Sequence, residues 1–318
     1  MLRIVQLGLV TVDLAGTLRL YSEAFGFRNA GATGLWGGMC EKITLMRADA
    51  RNVIWWMVGP RKFFQFEIFA YNCPVSQPIP TDWRPSDLGW NRFGVTVADF
   101  DASVLALKRL GVDPLTPAIL KSGRRRVAIR DPYLGAIIEV MESDPAKPEG
   151  PIVEYATNSV SDLEASRKFY SDVLQFEILP LQQLHTQSDE ALWGLQGAER
   201  DGFLARLDDM LVEVVQYRNP VGRPKPIGYL ISDQGIMNIA IASHQIKPVE
   251  QMLERVKAAG VVPPYVYNDG RIIAAYTFEP DRVLEYGCVP EETLPFYGFV
   301  PTAFAFIGGG VALRDQSE

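Results

Sequence analysis

Residues 153–177 read Val-Glu-Tyr-Ala-Thr-Asn-Ser-Val-Ser-Asp-Leu-Glu-Ala-Ser-Arg-Lys-Phe-Tyr-Ser-Asp-Val-Leu-Gln-Phe-Glu. The stretch predicts a short strand to about Thr157, a polar turn, and a helix with Asp162 as N-cap. In that helix Leu163, Phe169, Tyr170, Val173 and Leu174 recur at helical spacing. Residues 4–27 repeat the design: Asp13-Leu14, Tyr21-Ser22 and Phe27 match Asp162-Leu163, Tyr170-Ser171 and Phe176 at a constant offset of 149 positions. A second set of matches runs at an offset of 146. It pairs Glu67, Tyr71 and Pro74 with Glu213, Tyr217 and Pro220, and Ser86-Asp87 and Gly89 with Ser232-Asp233 and Gly235. Matches in the same order half a chain apart indicate duplication.

Working outward from these stretches, each half divides again. The first module predicts a strand from Arg3 to about Leu9, a helix from Asp13 to about Phe25, and strands at 42–46, 52–58 and 63–71, a βαβββ unit. The second has a strand at 91–97, Asp99 as cap, a helix from Phe100 to about Leu110 ending at Gly111, and strands at 125–129 and 136–141. The third adds strands at 190–195, 202–207 and 210–217. The fourth has a strand at 237–242, a helix at 247–259 closed by Gly260, and strands at 272–277 and 283–288. The Pro- and Ser-rich segment 73–89 and its counterpart 217–235 read as crossing loops and candidate covers for whatever the sheets enclose. The division expected is a first domain at 1–141, a linker at 142–151, a second domain at 152–288 and a packing tail at 289–318 whose last residues fray.

Composition limits the function. With 318 residues and 47% apolar content the chain has enough material for two cores. Formal charge is −7 and no basic run exceeds Arg124-Arg125-Arg126, so a nucleic-acid partner is not expected. Cys40, Cys73 and Cys288 are scattered, which suits a reducing, cytoplasmic setting and argues against a thiolate zinc site. The apolar stretch 304–313 is too short to span a bilayer, so no membrane partner is expected either. The partner class is a small molecule, with a homodimer as the assembly to test.

Four βαβββ modules in two pairs, with an Asp-Leu helix start followed by Phe-Tyr, and the closing run Glu279-Pro-Asp-Arg-Val-Leu-Glu285, resemble the vicinal-oxygen-chelate superfamily. This is the group of glyoxalase I, the bleomycin-resistance proteins and the extradiol dioxygenases, and the resemblance covers roughly residues 3–288. It implies an α+β fold, with modules 1 and 2 closing one cupped sheet and modules 3 and 4 another. It also implies a divalent metal inside a cup, held from the first and last strands of the modules. Matched by position, the N-terminal cup would present Gln6, Glu67, Arg92 and Glu139, and the C-terminal cup Tyr155, Glu213, Asn238 and Glu285. Histidine is missing from every first-strand position, and Arg92 has no lone pair to give a metal. The expectation is therefore no metal cofactor, with an all-oxygen set in the C-terminal cup the one place for Mg²⁺ or Ca²⁺. Of the two histidines, His185 is expected near the mouth of a cup and His244 at a turn.

Buried polar residues must be paired or put to use. The structural reading pairs Arg92 with Glu139 and makes Tyr155, Asn238 and Glu285 a hydrogen-bond network. The catalytic reading has Glu285 remove a proton beside a carbonyl, Tyr155 stabilise the oxyanion and Asn238 orient it, in an isomerase, epimerase or lyase. The other ligand-contacting candidates are Glu213, His185, Trp193, Gln6, Glu67, Arg92, Glu139 and Trp90, the last placed on the same face as Arg92. A sequestering protein with an aromatic-lined cup is the alternative. A metal-dependent dioxygenase or glyoxalase ranks third.

Overall fold

The computed structural model of the chain describes residues 1–144, 146 and 149–303. Module 1 comprises β1 (Arg3–Val10), α1 (Leu14–Leu20), β2 (Arg28–Trp36), α2 (Gly38–Thr44), β3 (Arg51–Val58) and β4 (Gln65–Cys73). Module 2 comprises β5 (Gly89–Val97), α3 (Phe100–Arg109), β6 (Ile119–Lys121), β7 (Arg124–Arg130) and β8 (Ile137–Glu142). Module 3 follows with β9 (Ile152–Ser159), α4 (Leu163–Lys168), β10 (Glu177–Pro180), β11 (Glu199–Leu207) and β12 (Met210–Asn219). Module 4 has β13 (Gly235–Ser243), α5 (Ile246–Ala258), β14 (Val266–Asn268), β15 (Ile273–Glu279) and β16 (Arg282–Cys288).

The helix starts form for the reason the sequence suggests. Asp13, Asp99 and Asp162 lie in extended backbone and accept from the amides of Gly16 (3.0 Å), Ala102 (2.9 Å) and Ala165 (2.9 Å). The duplication persists in detail, because α1 and α4 each run on into a widened π-type turn, at Tyr21–Phe25 and Phe169–Val173. Two expected strands are helical instead. Residues 42–46 belong mostly to α2, and residues 190–195 overlap a 3₁₀ segment, Gln187–Trp193, opened by a capping box between Thr186 and Asp189.

Among the described residues the sheets are two, each of eight strands. One runs β14-β15-β16-β13-β1-β4-β3-β2 and the other β10-β11-β12-β9-β5-β8-β7-β6. Each cup therefore takes two modules, but modules 1 and 4 build the first and modules 2 and 3 the second, so the expected membership of the cups is corrected. The antiparallel seams are β1 with β13 and β5 with β9. At each seam a glycine receives a larger partner. A Cβ on Gly8 would lie 2.1 Å from Asn238 Oδ1, and one on Gly94 would lie 2.1 Å from Tyr155 Cε1. These fits help match β1 to β13 and β5 to β9. The helical layer follows the halves instead: α3 packs on the turn at 21–25, and α5 on the turn at 169–173, with Arg255 Nε donating to the Val173 carbonyl at 2.8 Å. Between sheets and helices lies one large apolar core, in which Tyr21, Phe27, Phe66 and Phe93 pack ring against ring.

The crossing loops do not cover the cups. They bond to each other: the amides of Leu88 and Gln234 donate to the carbonyls of Arg223 (2.8 Å) and Gln77 (2.9 Å), and Arg223 pairs with Asp87 at 2.7 Å. Among the described residues no helix is long and apolar enough to cross a membrane. The final stretch, expected to fray, lies outside the described residues.

Candidate functional site

The first cup gathers Gln6 from β1, Gln65 and Glu67 from β4, Asn238 from β13, and Glu285 from β16. The Gln6 amide donates to both carboxylates, to Glu67 Oε2 at 2.5 Å and Glu285 Oε2 at 2.9 Å, while Gln65 donates to Gln6 Oε1 at 2.9 Å. Asn238 Nδ2 donates to Glu285 at 3.1 Å. Each glutamate also faces an aromatic donor on the neighbouring strand: Trp56 stands opposite Glu67 and donates from its indole at 3.4 Å, and Tyr276 stands opposite Glu285 and hydrogen-bonds to it. Gln6, Gln65, Glu67, Glu285, Trp56 and Tyr276 line a cavity of about 140 Å³ with apolar walls that include Ile54, Phe69 and Ala240. The cover comes from Ile43 and Thr44 at the end of α2, and from Tyr297 and Phe299 in the tail. The tail lies close because residue 298 is glycine, with φ of 74° and the position of a Cβ 2.2 Å from Trp56 Cγ.

No Lys, Arg or His lines this cavity among the described residues. Burial, followed by the charge of Glu285, raises the Glu67 carboxyl well above its ordinary range, and burial raises Glu285 to about 7. The pair therefore holds a proton at neutral pH, as two carboxylates joined through one amide in an apolar cup should.

The second cup is an ionic cluster. Arg92 donates to Glu213 at 2.6 Å and lies over the Trp193 ring at 3.8 Å. His185 reaches Glu213 through Nδ1 at 2.8 Å and Glu139 through Nε2 at 2.9 Å. Tyr155 donates to Glu139 at 2.5 Å, Arg126 to Glu139 at 3.2 Å, and Thr157 to Glu213 at 2.7 Å. Glu190 accepts from Arg200, and from Trp193 and Tyr217 at 2.8 Å each. Ionised carboxylates only accept, so both imidazole nitrogens donate and His185 is an imidazolium. Burial opposes that charge, but Glu213 and Glu139 override it and raise the His185 pKa. Against the upward push of burial, His185 and Arg126 bring Glu139 down to about 2, and His185 and Arg92 bring Glu213 well below its ordinary range.

The expected catalytic set is thereby divided. Glu285 and Asn238 meet in the first cup with Gln6 and Glu67, whereas Tyr155 belongs to the second with Arg92, Glu139, Glu213, His185 and Trp193. Arg92 pairs with Glu213 and not with Glu139, and His185 occupies the interior of its cup, fully buried, rather than the mouth. His244 lies at its turn, stacked on Phe63 with ring centroids 3.9 Å apart. Trp90 is not a neighbour of Arg92's site. A register shift in the seam between the two residues sends Trp90 into the main core, where its indole donates to the Val283 carbonyl at 3.1 Å. Of Trp55 and Trp56, adjacent strand residues of which the sequence allows only one to look into a cup, the hairpin register places Trp56 opposite Glu67; the sequence reading missed Tyr276, which stands opposite Glu285. It also missed Arg126, Arg200 and Glu190, whose charges are ordinary in a strand sequence until the cup closes around them.

The two cups differ in their fitness for a metal. In the second, an imidazolium and the guanidinium groups of Arg92, Arg126 and Arg200 already occupy Glu139 and Glu213, and a cation does not fit. Among the described residues the first has two carboxylates, no basic residue lining its cavity, and two buried amide oxygens without a partner, Asn238 Oδ1 and Gln65 Oε1. That all-oxygen set fits a hard divalent ion such as Mg²⁺ or Mn²⁺ and lacks the imidazole that iron oxygenase sites use.

No protein-family model matches the chain, and no curated protein matches it in sequence. Solved structures do match in fold. Glyoxalase I of Zea mays is 17% identical, with a TM-score of 0.58 over 91% of this chain and 92% of its own. A dioxygenase-like protein of Bacillus subtilis is 13% identical, with a TM-score of 0.57 over 92% of this chain and 89% of its own. The chain therefore shares the two-domain α+β fold of these glyoxalase and dioxygenase-like structures.

Proposed function

We propose that the first cup is the active site of an isomerase, epimerase or lyase that moves a proton at a carbon beside a carbonyl group. The observation that carries this reading is the pair Glu67 and Glu285, joined through Gln6 beside an apolar cavity that no basic residue lines among the described residues. Glu285, poised near pH 7, is the base. Glu67, raised well above its ordinary range by burial and by the charge of Glu285, is the acid that returns a proton, so the two carboxyls exchange roles over a cycle. Tyr276 and Asn238 hold the Glu285 carboxylate in place, and Trp56 holds Glu67. The apolar walls keep out water that would relax the Glu285 pKa to its ordinary value. A divalent ion bound by Glu67, Glu285 and the amide oxygens of Gln65 and Asn238 would add positive charge against that of the enolate.

The test is solvent deuterium exchange, followed by NMR across a panel of small aldehydes, ketones and 2-oxo acids. Exchange should be fastest at the carbon next to the carbonyl and fall by about 10²-fold or more in Glu285→Gln, the usual range for loss of a general base. Unchanged exchange in that variant would remove Glu285 from the chemistry. The second reading is a sequestering protein, favoured by the closure of the cavity by Tyr297 and Phe299. It predicts a ligand retained through gel filtration with no exchange at all.

A further inference from the structure

Lys225 lies in the loop between β12 and β13, away from both cups. Its ammonium nitrogen is buried without a hydrogen-bond partner among the described residues. It faces two aromatic rings, Trp83 at 4.9 Å and Tyr229 at 4.6 Å. Asp87, the acid whose charge acts on it, is already engaged by Arg84 at 2.9 Å and Arg223 at 2.7 Å. Gly89 makes room for the lysine stem: its φ is +113°, and a Cβ there would stand 3.2 Å from Lys225 Cε.

The lysine also lines a cavity of about 260 Å³ between this loop, the start of β13 and the β15–β16 turn. The walls include Trp90, Ile231, Met237 and Phe278. Arg282, in the same wall, is paired with Glu279 through Nε at 2.9 Å, which leaves Lys225 as the one cation of this wall without a partner among the described residues. A lysine tip ordinarily reaches water or a carboxylate. Here it is held only by ring faces, so a turn of its stem toward the cavity breaks no hydrogen bond. Burial also lowers its pKa to about 8, which leaves a sizeable fraction of neutral amine at physiological pH.

We propose that Lys225 is a nucleophilic amine serving this cavity, one that forms an imine with a small aldehyde or ketone. The nitrogen lone pair adds to the carbonyl carbon, the resulting carbinolamine loses its hydroxyl with a proton as water, and a C=N bond remains. The proposal is independent of the chemistry assigned to the first cup, because imine capture is read without turnover.

The experiment treats the full chain with propanal and sodium cyanoborohydride at pH 7. The borohydride delivers hydride to the imine carbon and fixes a propyl group on the nitrogen, and peptide mass spectrometry then follows each lysine in time. Lys225 should be propylated at least ten times faster than the exposed Lys62, Lys108 and Lys257, with a rate that rises to a plateau above about pH 8. In Lys225→Arg, which keeps charge and stem, the fast label should vanish while the exposed lysines react as before. Labelling of Lys225 no faster than the exposed lysines, or a fast label on another residue, would overturn the proposal. The wild-type rates decide the matter even if the variant folds poorly.

Discussion

At the residue scale, the two cups show opposite solutions to the same problem of buried carboxylates. In the first cup Glu285 ionises only near pH 7, so the base form grows as pH rises. Exchange catalysed by the protein should accordingly climb between about pH 6 and 8 and then level, a profile that Glu285→Gln abolishes. In the second cup His185 acts as a fixed counter-ion. Its folded pKa is raised above the ordinary value of about 6.5, so its contribution to stability is whole below that pH and is lost as pH rises through the folded pKa. Glu139, lowered to about 2 in the fold, contributes above its ordinary range near 4.5 and loses that contribution as pH falls toward 2. The cluster is thus most stabilising between about pH 4.5 and 6.5. Denaturant unfolding of His185→Ala should show a loss of about 3–5 kcal/mol at pH 6, because two buried carboxylates lose a shared partner. A loss below about 1 kcal/mol would mean that Arg92 and Arg126 suffice. The glutamates were legible in the sequence, because their spacing from the repeated strands is preserved. His185 was legible as a residue near a cup but not as its buried counter-ion, because its inward place depends on the 3₁₀ segment that follows it.

At the element scale, legibility follows burial. The inner strands β1, β3, β4, β5, β7, β8, β9, β11, β12, β13, β15 and β16 all carry dense apolar runs, and the sequence reading found them. The four it missed, β2, β6, β10 and β14, are the edges of the two sheets. An edge strand packs on one side only. Its sequence therefore stays short or polar, as in Ile119–Lys121 and Glu177–Pro180, or glycine-rich, as in β2. The run at 42–46 is ambiguous for a different reason: Ile43 and Met46 are apolar at a spacing that suits a helix turn as well as a strand end. Which strands meet at the seams was equally out of reach, because only the assembled sheets show a glycine set against a larger side chain. Gly94→Val should destabilise by about 3 kcal/mol, since the new side chain overlaps the Tyr155 ring. The double variant with Tyr155→Ala should lose less than the two single losses added together. Strict additivity in thermal or denaturant unfolding would mean that the seam is not governed by this fit.

At the scale of the whole molecule, the exchange of partners between sheets and helices ties the halves together. The helical layer keeps modules 1 and 2 together and modules 3 and 4 together, while both sheets run across the linker at 142–151. Neither half alone builds a cup: residues 1–141 carry Gln6 and Glu67, and residues 152–288 carry Asn238 and Glu285. Cutting the linker should therefore leave the fold standing. With a protease site placed between Asp144 and Gly150, the cleaved fragments should elute from gel filtration together, at the volume of the intact chain, and should separate only in denaturant. If each half closed its own cup, the fragments would instead part under native conditions and behave as two small independent domains. The same cleavage also tests the site. An active centre made of Glu67 from one fragment and Glu285 from the other should keep its exchange activity while the fragments stay bound, lose it on their separation in denaturant, and recover it when the two are refolded in one tube but not when either is refolded alone.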